Sequence, residues 1–175
     1  FKAGGFVELR AKSGKPLGRY FPEVVTLLSA LAAPRFVLDG ELVIEIDGAV
    51  SFDSLQMRLH PAQSRIRKLS AATPARLTLF DMLIGPNGER VLDRPLTERR
   101  SALESFAKRY RAGDRLTLSP CTRRYSEARR WLDDLRHGTD GVVAKRLDEP
   151  YPPGERTMVK VKALRTGDCV VGGVR

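Results

Sequence analysis

Cysteine is nearly absent. The 175-residue chain has two, Cys121 and Cys169, with no Cys-x-x-Cys spacing and no neighbour among the two histidines, His60 and His137. That excludes a disulfide scaffold and a structural zinc site of the Cys/His kind, and two isolated thiols fit a reducing cytosol. Long apolar runs are missing too: no stretch approaches the ~20 residues a spanning helix needs, and the opening residues do not read as a signal peptide. Internal repeats and low-complexity segments are absent. Acidic residues are in deficit, with 31 Lys and Arg against 21 Asp and Glu, a formal net charge of +10. Such an imbalance favours a polyanionic partner, nucleic acid first, over a merely solvated basic surface.

What is present is a chain of mixed strands and helices punctuated by turns. Phe6 to Arg10 reads as a strand entered through a Gly4-Gly5 turn, and Pro22 starts a helix with Val24, Val25, Leu27, Leu28 and Leu31 as its apolar side. Phe36 to Ile46 is the clearest strand, with a hairpin turn at Asp47-Gly48. Asp53 is expected to cap a short helix to Leu59, and Arg65 to Lys68 to belong to a second. Leu77 to Ile84 is another strand, Leu96 to Tyr110 an amphipathic helix capped by Thr97, and Ser126 to Leu135 a further helix. Leu116 to Ser119, Gly141 to Lys145, Met158 to Ala163 and Cys169 to Val174 complete the strands. Strands and helices alternate irregularly with hairpins between them, which argues for an α+β fold rather than a doubly wound parallel sheet.

Three short signatures carry chemistry. Asp39 and Glu41 lie two apart on a strand and leave the same face, while Leu38, Gly40, Leu42 and Ile44 fill the other. Two carboxylates on a rigid platform suit a hard divalent cation or a ribose hydroxyl; an exposed polar strand face reads the same way in isolation. Lys160 and Lys162 share a face and can straddle one phosphate, although a basic edge strand has this pattern as well. Asp140 to Lys145 is a small apolar strand with an acid before it and a base at its end; regular pleating sends those two side chains to opposite faces, which favours Asp140. Phe80 shares an expected face with Thr78 and Met82, where it either fills the core or stacks on a base.

Taken in order, these segments resemble the nucleotidyltransferase (adenylation) domain of ATP-dependent DNA ligases of the small bacterial and end-joining types. Leu38-Asp39-Gly40-Glu41-Leu42-Val43 is similar to the family's third motif, and Leu79-Phe80-Asp81-Met82-Leu83 to the strand whose aromatic stacks on adenine. Asp140-Gly141-Val142-Val143-Ala144-Lys145 is similar to the fourth motif and Lys160-Val161-Lys162 to the fifth. Arg10-Ala11-Lys12-Ser13-Gly14-Lys15 occupies the place of the segment that reaches the nick phosphate. The family usually has Arg where Lys12 stands, which leaves charge pairing but not a bidentate fork.

The resemblance implies an α+β nucleotidyltransferase (ATP-grasp-like) fold of antiparallel sheets flanked by helices around a nucleotide cleft. It implies ATP and Mg²⁺ (Mn²⁺ being the other metal that carboxylates accept), nicked double-stranded DNA as partner, a monomer, no membrane association and a bacterial cytoplasmic location. A lysine of a Lys-x-Asp-Gly motif would take AMP from ATP, pass it to the 5′-phosphate of a nick, and let the 3′-hydroxyl displace it in DNA repair. Glu41 and Asp140 would assist the metal, Glu41, Lys160 and Lys162 would carry catalysis, and Phe80, Lys145, Glu41, Lys160 and Lys162 would hold the nucleotide. Lys12 and Arg10 would meet DNA phosphate. Lys2-Ala3-Gly4-Gly5 imitates the nucleophile motif without its aspartate, and Lys2 reads as a turn lysine. The expectation is therefore a partial adenylation domain over 1–165 whose nucleophile lies upstream of Phe1 and which is inactive without it, with 166–175 beginning a C-terminal OB domain. The alternatives are another covalent nucleotidyltransferase, such as an RNA ligase or mRNA capping enzyme, and a non-catalytic basic DNA-binding remnant.

Overall fold

A computed structural model describes residues 1–110, 113–133, 141–155 and 157–162. Two short strands, β1 (Lys2–Ala3) and β2 (Phe6–Val7), form a hairpin about Gly4-Gly5, and the helix α1 (Pro22–Ala30) follows. Next come β3 (Arg35–Val43), the hairpin β4 (Glu45–Ile46) and β5 (Ala49–Val50), and the helices α2 (Phe52–Met57) and α3 (Gln63–Ala72). Then β6 (Arg76–Ile84), α4 (Leu96–Arg109), β7 (Leu116–Leu118), α5 (Tyr125–Asp133), β8 (Val142–Ala144) and β9 (Val159–Val161) complete the described elements.

The main sheet has five strands in the order β2-β1-β3-β6-β7. Its pairs are antiparallel except β6 with β7, which run parallel because α4 carries the chain back between them. The pairs β4–β5 and β8–β9 are separate antiparallel ribbons. One side of the main sheet holds the core. Val24 and Leu28 of α1 and Leu103 and Phe106 of α4 are buried with Phe36, Leu77, Leu79 and Met82, and Phe36 meets Phe106 edge-on at 5.2 Å between ring centroids. Burying a side chain of this size contributes about 1.5–3 kcal/mol, so these contacts fix where the sheet's other face must point.

Several local expectations are corrected. The long strand ends at Val43; Ile44 turns into the core and the chain resumes as β4, whose turn residues Asp47 and Gly48 have φ of 51° and 79°, as a two-residue hairpin requires. Ser51, not Asp53, caps α2, its hydroxyl accepting from the Ser54 amide at 3.2 Å. Thr97 does not cap α4, which starts after Pro95 with no side-chain cap. Instead, the carbonyls of Glu149 and Leu147 accept from the amides of Leu96 and Thr97 at 3.1 and 3.2 Å. A distant segment thus satisfies donors that the local sequence leaves open. Lys2 is not a turn residue either. It belongs to β1, is 7% exposed, and its ammonium donates to the carbonyls of Ser29 and Leu31 at the end of α1, where a positive charge is favoured. Asp140, the end of the helix expected to reach Leu135, and the strand expected over 169–174 lie outside the described residues.

Candidate nucleotide site

The face of β3 and β6 opposite the core is set by two slips of register. Leu38, Gly40 and Leu42 stand across from Met82, Leu79 and Leu77, whereas Asp39, Glu41 and Val43 stand across from Asp81, Thr78 and Arg76. The pairing skips Phe80 between Leu79 and Asp81. This bulge reverses the alternation: Met82 joins the core, Asp81 joins Asp39 and Glu41, and Phe80 is pushed out half-buried as the extra residue. The expected grouping of Phe80 with Thr78 and Met82 fails for that reason. Gly40 is needed at this crossing, since a Cβ there would lie 2.7 Å from the carbonyl oxygen of Thr78.

Asp39 and Asp81 face each other across the two strands, an arrangement that is destabilising for two bare charges. The structure resolves it by treating them differently. Asp81 is 1% exposed and takes two hydrogen bonds from Arg99, itself 3% exposed, at 2.8 and 3.1 Å, plus the Met82 amide at 3.0 Å. The Lys145 ammonium stands 3.6 Å from the same carboxylate. Asp39 is half-buried and accepts from the Tyr151 hydroxyl at 2.7 Å.

One segment, residues 145–151, brings these partners together. Lys145, just after β8, lies over the ring of Phe80 at 4.9 Å from its centroid, close enough for a cation–π contact. Glu149 lends its carbonyl to Arg99 at 2.9 Å, and the Arg99 guanidinium sits 5.8 Å from the centre of the Tyr151 ring. The Tyr151 amide donates to the carbonyl of Leu92 at 2.8 Å. Burial, then the Asp39 carboxylate, push the Tyr151 phenol well above its ordinary range, so it stays a neutral donor. A small cleft lies between this strap, the start of α4 and residues 157–158, lined by Asp81, Leu96, Arg99, Lys145, Tyr151 and Met158; Phe80, Asp39 and Glu41 are not part of its lining.

The remaining expected residues are placed as follows. Glu41 is exposed on the same face as Asp39, beside Thr78, whose hydroxyl lies 3.2 Å from that of Thr117 on β7. Lys160 stands opposite Val143 in the β8–β9 ribbon, and Lys162 follows directly. Gly141 makes this ribbon possible: with φ of 146°, it leaves room where a Cβ would meet the carbonyl oxygen of Val161 at 2.1 Å. Lys12 is exposed in a hairpin closed by the Arg10–Pro16 bridge, while Arg10 pairs with Glu8 at 2.9 Å. The bulge therefore joins Phe80, Lys145 and the acidic face. Lys145, which regular pleating disfavours, is brought in by the chain leaving its strand.

Arg99 and Tyr151 had no place in the sequence reading. Arg99 left a signal, since it occupies the buried stripe of α4 with Leu103 and Phe106, where an arginine implies a buried acid. Tyr151, 112 positions from Asp39, left none.

As to donors for a cation, the described residues contain no group of three or more His, Cys, Asp or Glu side chains suited to a metal ion. Two carboxylates on one face still fit Mg²⁺, which keeps several waters and binds through one or two carboxylates together with substrate phosphates. Among the described residues no helix is long and apolar enough to cross a membrane.

Comparison with known proteins gives consistent matches. A family model described as "ATP dependent DNA ligase domain" matches residues 1–162. DNA ligase C2 of Mycolicibacterium smegmatis is 43% identical over 176 residues, covering 100% of this chain and 49% of that protein. DNA ligase C of Mycobacterium tuberculosis is 40% identical over 178 residues, with the same 100% and 49% shares. A solved mycobacterial DNA ligase D complexed with ATP and MES superposes with a TM-score of 0.63 at 28% identity, covering 92% of this chain and 49% of that one. The chain thus spans about half the length of the curated relatives it matches.

Proposed function

The chain belongs to the ATP-dependent DNA ligase domain family, and on that premise we propose that it is the nucleotide-binding part of a ligase that seals nicks in DNA. The observation that carries this reading is the meeting of Phe80, Lys145 and the Asp39/Glu41 face at one bulge. An aromatic face beside a cation and two acids is what a purine nucleotide with its metal needs. The described residues form part of the adenylation domain of that ligase.

In this reading Phe80 stacks on adenine, with Lys145 at the base and Glu41 toward the ribose and metal. Lys160 and Lys162 neutralise the α-phosphate, and Asp140, outside the described residues, assists the metal with Glu41. When bound, Mg²⁺ supplies charge neutralisation on the phosphates. The reaction calls for a nucleophilic lysine of a Lys-x-Asp-Gly motif. That lysine displaces pyrophosphate from ATP, the AMP passes to the 5′-phosphate of a nick, and the 3′-hydroxyl displaces AMP as the phosphodiester forms. Lys2 takes no part, because its ammonium is committed to the end of α1. Lys12 meets the DNA phosphate; Arg10 contributes less because Glu8 already holds it. The working protein is a cytoplasmic monomer.

The test is incubation with α-labelled ATP and Mg²⁺ of a chain extended upstream through its Lys-x-Asp-Gly. An alkali-stable, acid-labile, lysine-dependent label is expected, as a lysyl-AMP phosphoramidate requires, stronger with ATP than GTP, and transferable to nicked DNA in preference to RNA. No label on the extended chain sinks the reading.

A further inference from the structure

Asp39 and Asp81 are direct cross-strand neighbours with opposite fates. Asp81 is buried and matched by the Arg99 guanidinium, with Lys145 close by. Asp39 is half-buried, and among the described residues its recorded side-chain partner is the Tyr151 hydroxyl. A neutral phenol fixes a carboxylate's direction without cancelling its charge, unlike an arginine or lysine. It binds Oδ2 and so fixes the orientation of the whole carboxylate.

Tyr151 is itself held on three sides. Its ring faces the Arg99 guanidinium, its amide is tied to Leu92, and the carbonyl two residues earlier accepts from Arg99 and from the start of α4. The same strap lays Lys145 over Phe80. The phenol therefore reaches Asp39 from the segment that also furnishes one side of the adenine platform.

We propose that Tyr151 is a positioning residue that aims a charged Asp39 at the metal-bound nucleotide. The inference rests on the nucleotide-site reading above. Pairing Asp81 with Arg99 offsets the negative charge beside Asp39, and Tyr151 then sets the rotamer of the Asp39 carboxylate.

The test uses the full-length gene product with Tyr151→Phe, which keeps the ring and its contact with Arg99, together with Asp39→Asn and the double variant. Affinity for α,β-methylene-ATP is measured by calorimetry across Mg²⁺ concentrations, alongside transfer of label from ATP. Tyr151→Phe should weaken binding of the Mg²⁺-bound analogue by about tenfold, the size of one hydrogen bond to a charged group. It should shift the Mg²⁺ half-saturation upward and add nothing further in the Asp39→Asn background. If wild-type protein binds the analogue and takes label, but Tyr151→Phe matches it or adds its full effect to Asp39→Asn, the positioning role is wrong while the ligase reading stands. Wild-type protein that neither binds nor labels overturns the ligase reading, and the positioning role with it.

Discussion

Asp81 and Arg99 form a buried pair whose members fail separately. Each is almost fully enclosed, and each fixes a different element, Asp81 the bulge in β6 and Arg99 the first turn of α4. Removing one partner strands a charge in the interior, so Arg99→Leu or Asp81→Asn should each cost about 3–5 kcal/mol of folding stability, read from urea unfolding midpoints. Tyr151 gives a pH signature. Its phenol is raised above the ordinary value of about 10, so the stabilisation from its neutral form is fully present below that pH. It is lost as the pH rises through the folded-state value. Urea midpoints compared from neutral to strongly alkaline pH should fall more steeply for wild type than for Tyr151→Phe. Equal slopes would show that the phenol does not couple to folding.

At the scale of elements, two glycines decide whether motif strands can lie together. Gly40 lets β3 cross β6 next to the bulge, and Gly141 lets the start of β8 approach the end of β9. Gly141→Ala combines a backbone conformation that alanine resists with a clash against the Val161 carbonyl. Overpacking of this kind costs about 1–3 kcal/mol, and hydrogen exchange at Val142 and Val161 should quicken while β3 and β6 keep their protection. Equal exchange in both ribbons would remove Gly141 as the cause. Helix α2 offers a milder check: losing its Ser51 cap in Ser51→Ala should cost about 1 kcal/mol by chemical denaturation.

For the molecule as a whole, the formal charge of +10 bears on association with a polyanion, nicked DNA in the proposed function, rather than on the fold. Binding of nicked DNA, followed by fluorescence anisotropy between about 50 and 200 mM salt, should weaken with a log–log slope of about −0.9 per phosphate neutralised. Lys12→Ala should flatten that slope by about one contact, and Arg10→Ala by less, because Glu8 already pairs with Arg10. An unchanged slope for Lys12→Ala would take the hairpin off the DNA. The chain alone makes the α+β class, the apolar face of β3 and the order of its motifs legible, because alternation, turn residues and short motifs are local. It also carried a hint of Arg99, through an arginine on an apolar helix stripe. Long-range packing sets the bulge at Phe80, the change of face at Asp81 and the reach of Lys145 to the aromatic ring. The caps of α4 and the partner of Asp39 likewise come from residues 147–151, far along the chain. A one-residue slip in register inverts every face assignment beyond it, and nothing in the local pattern of β6 records the slip.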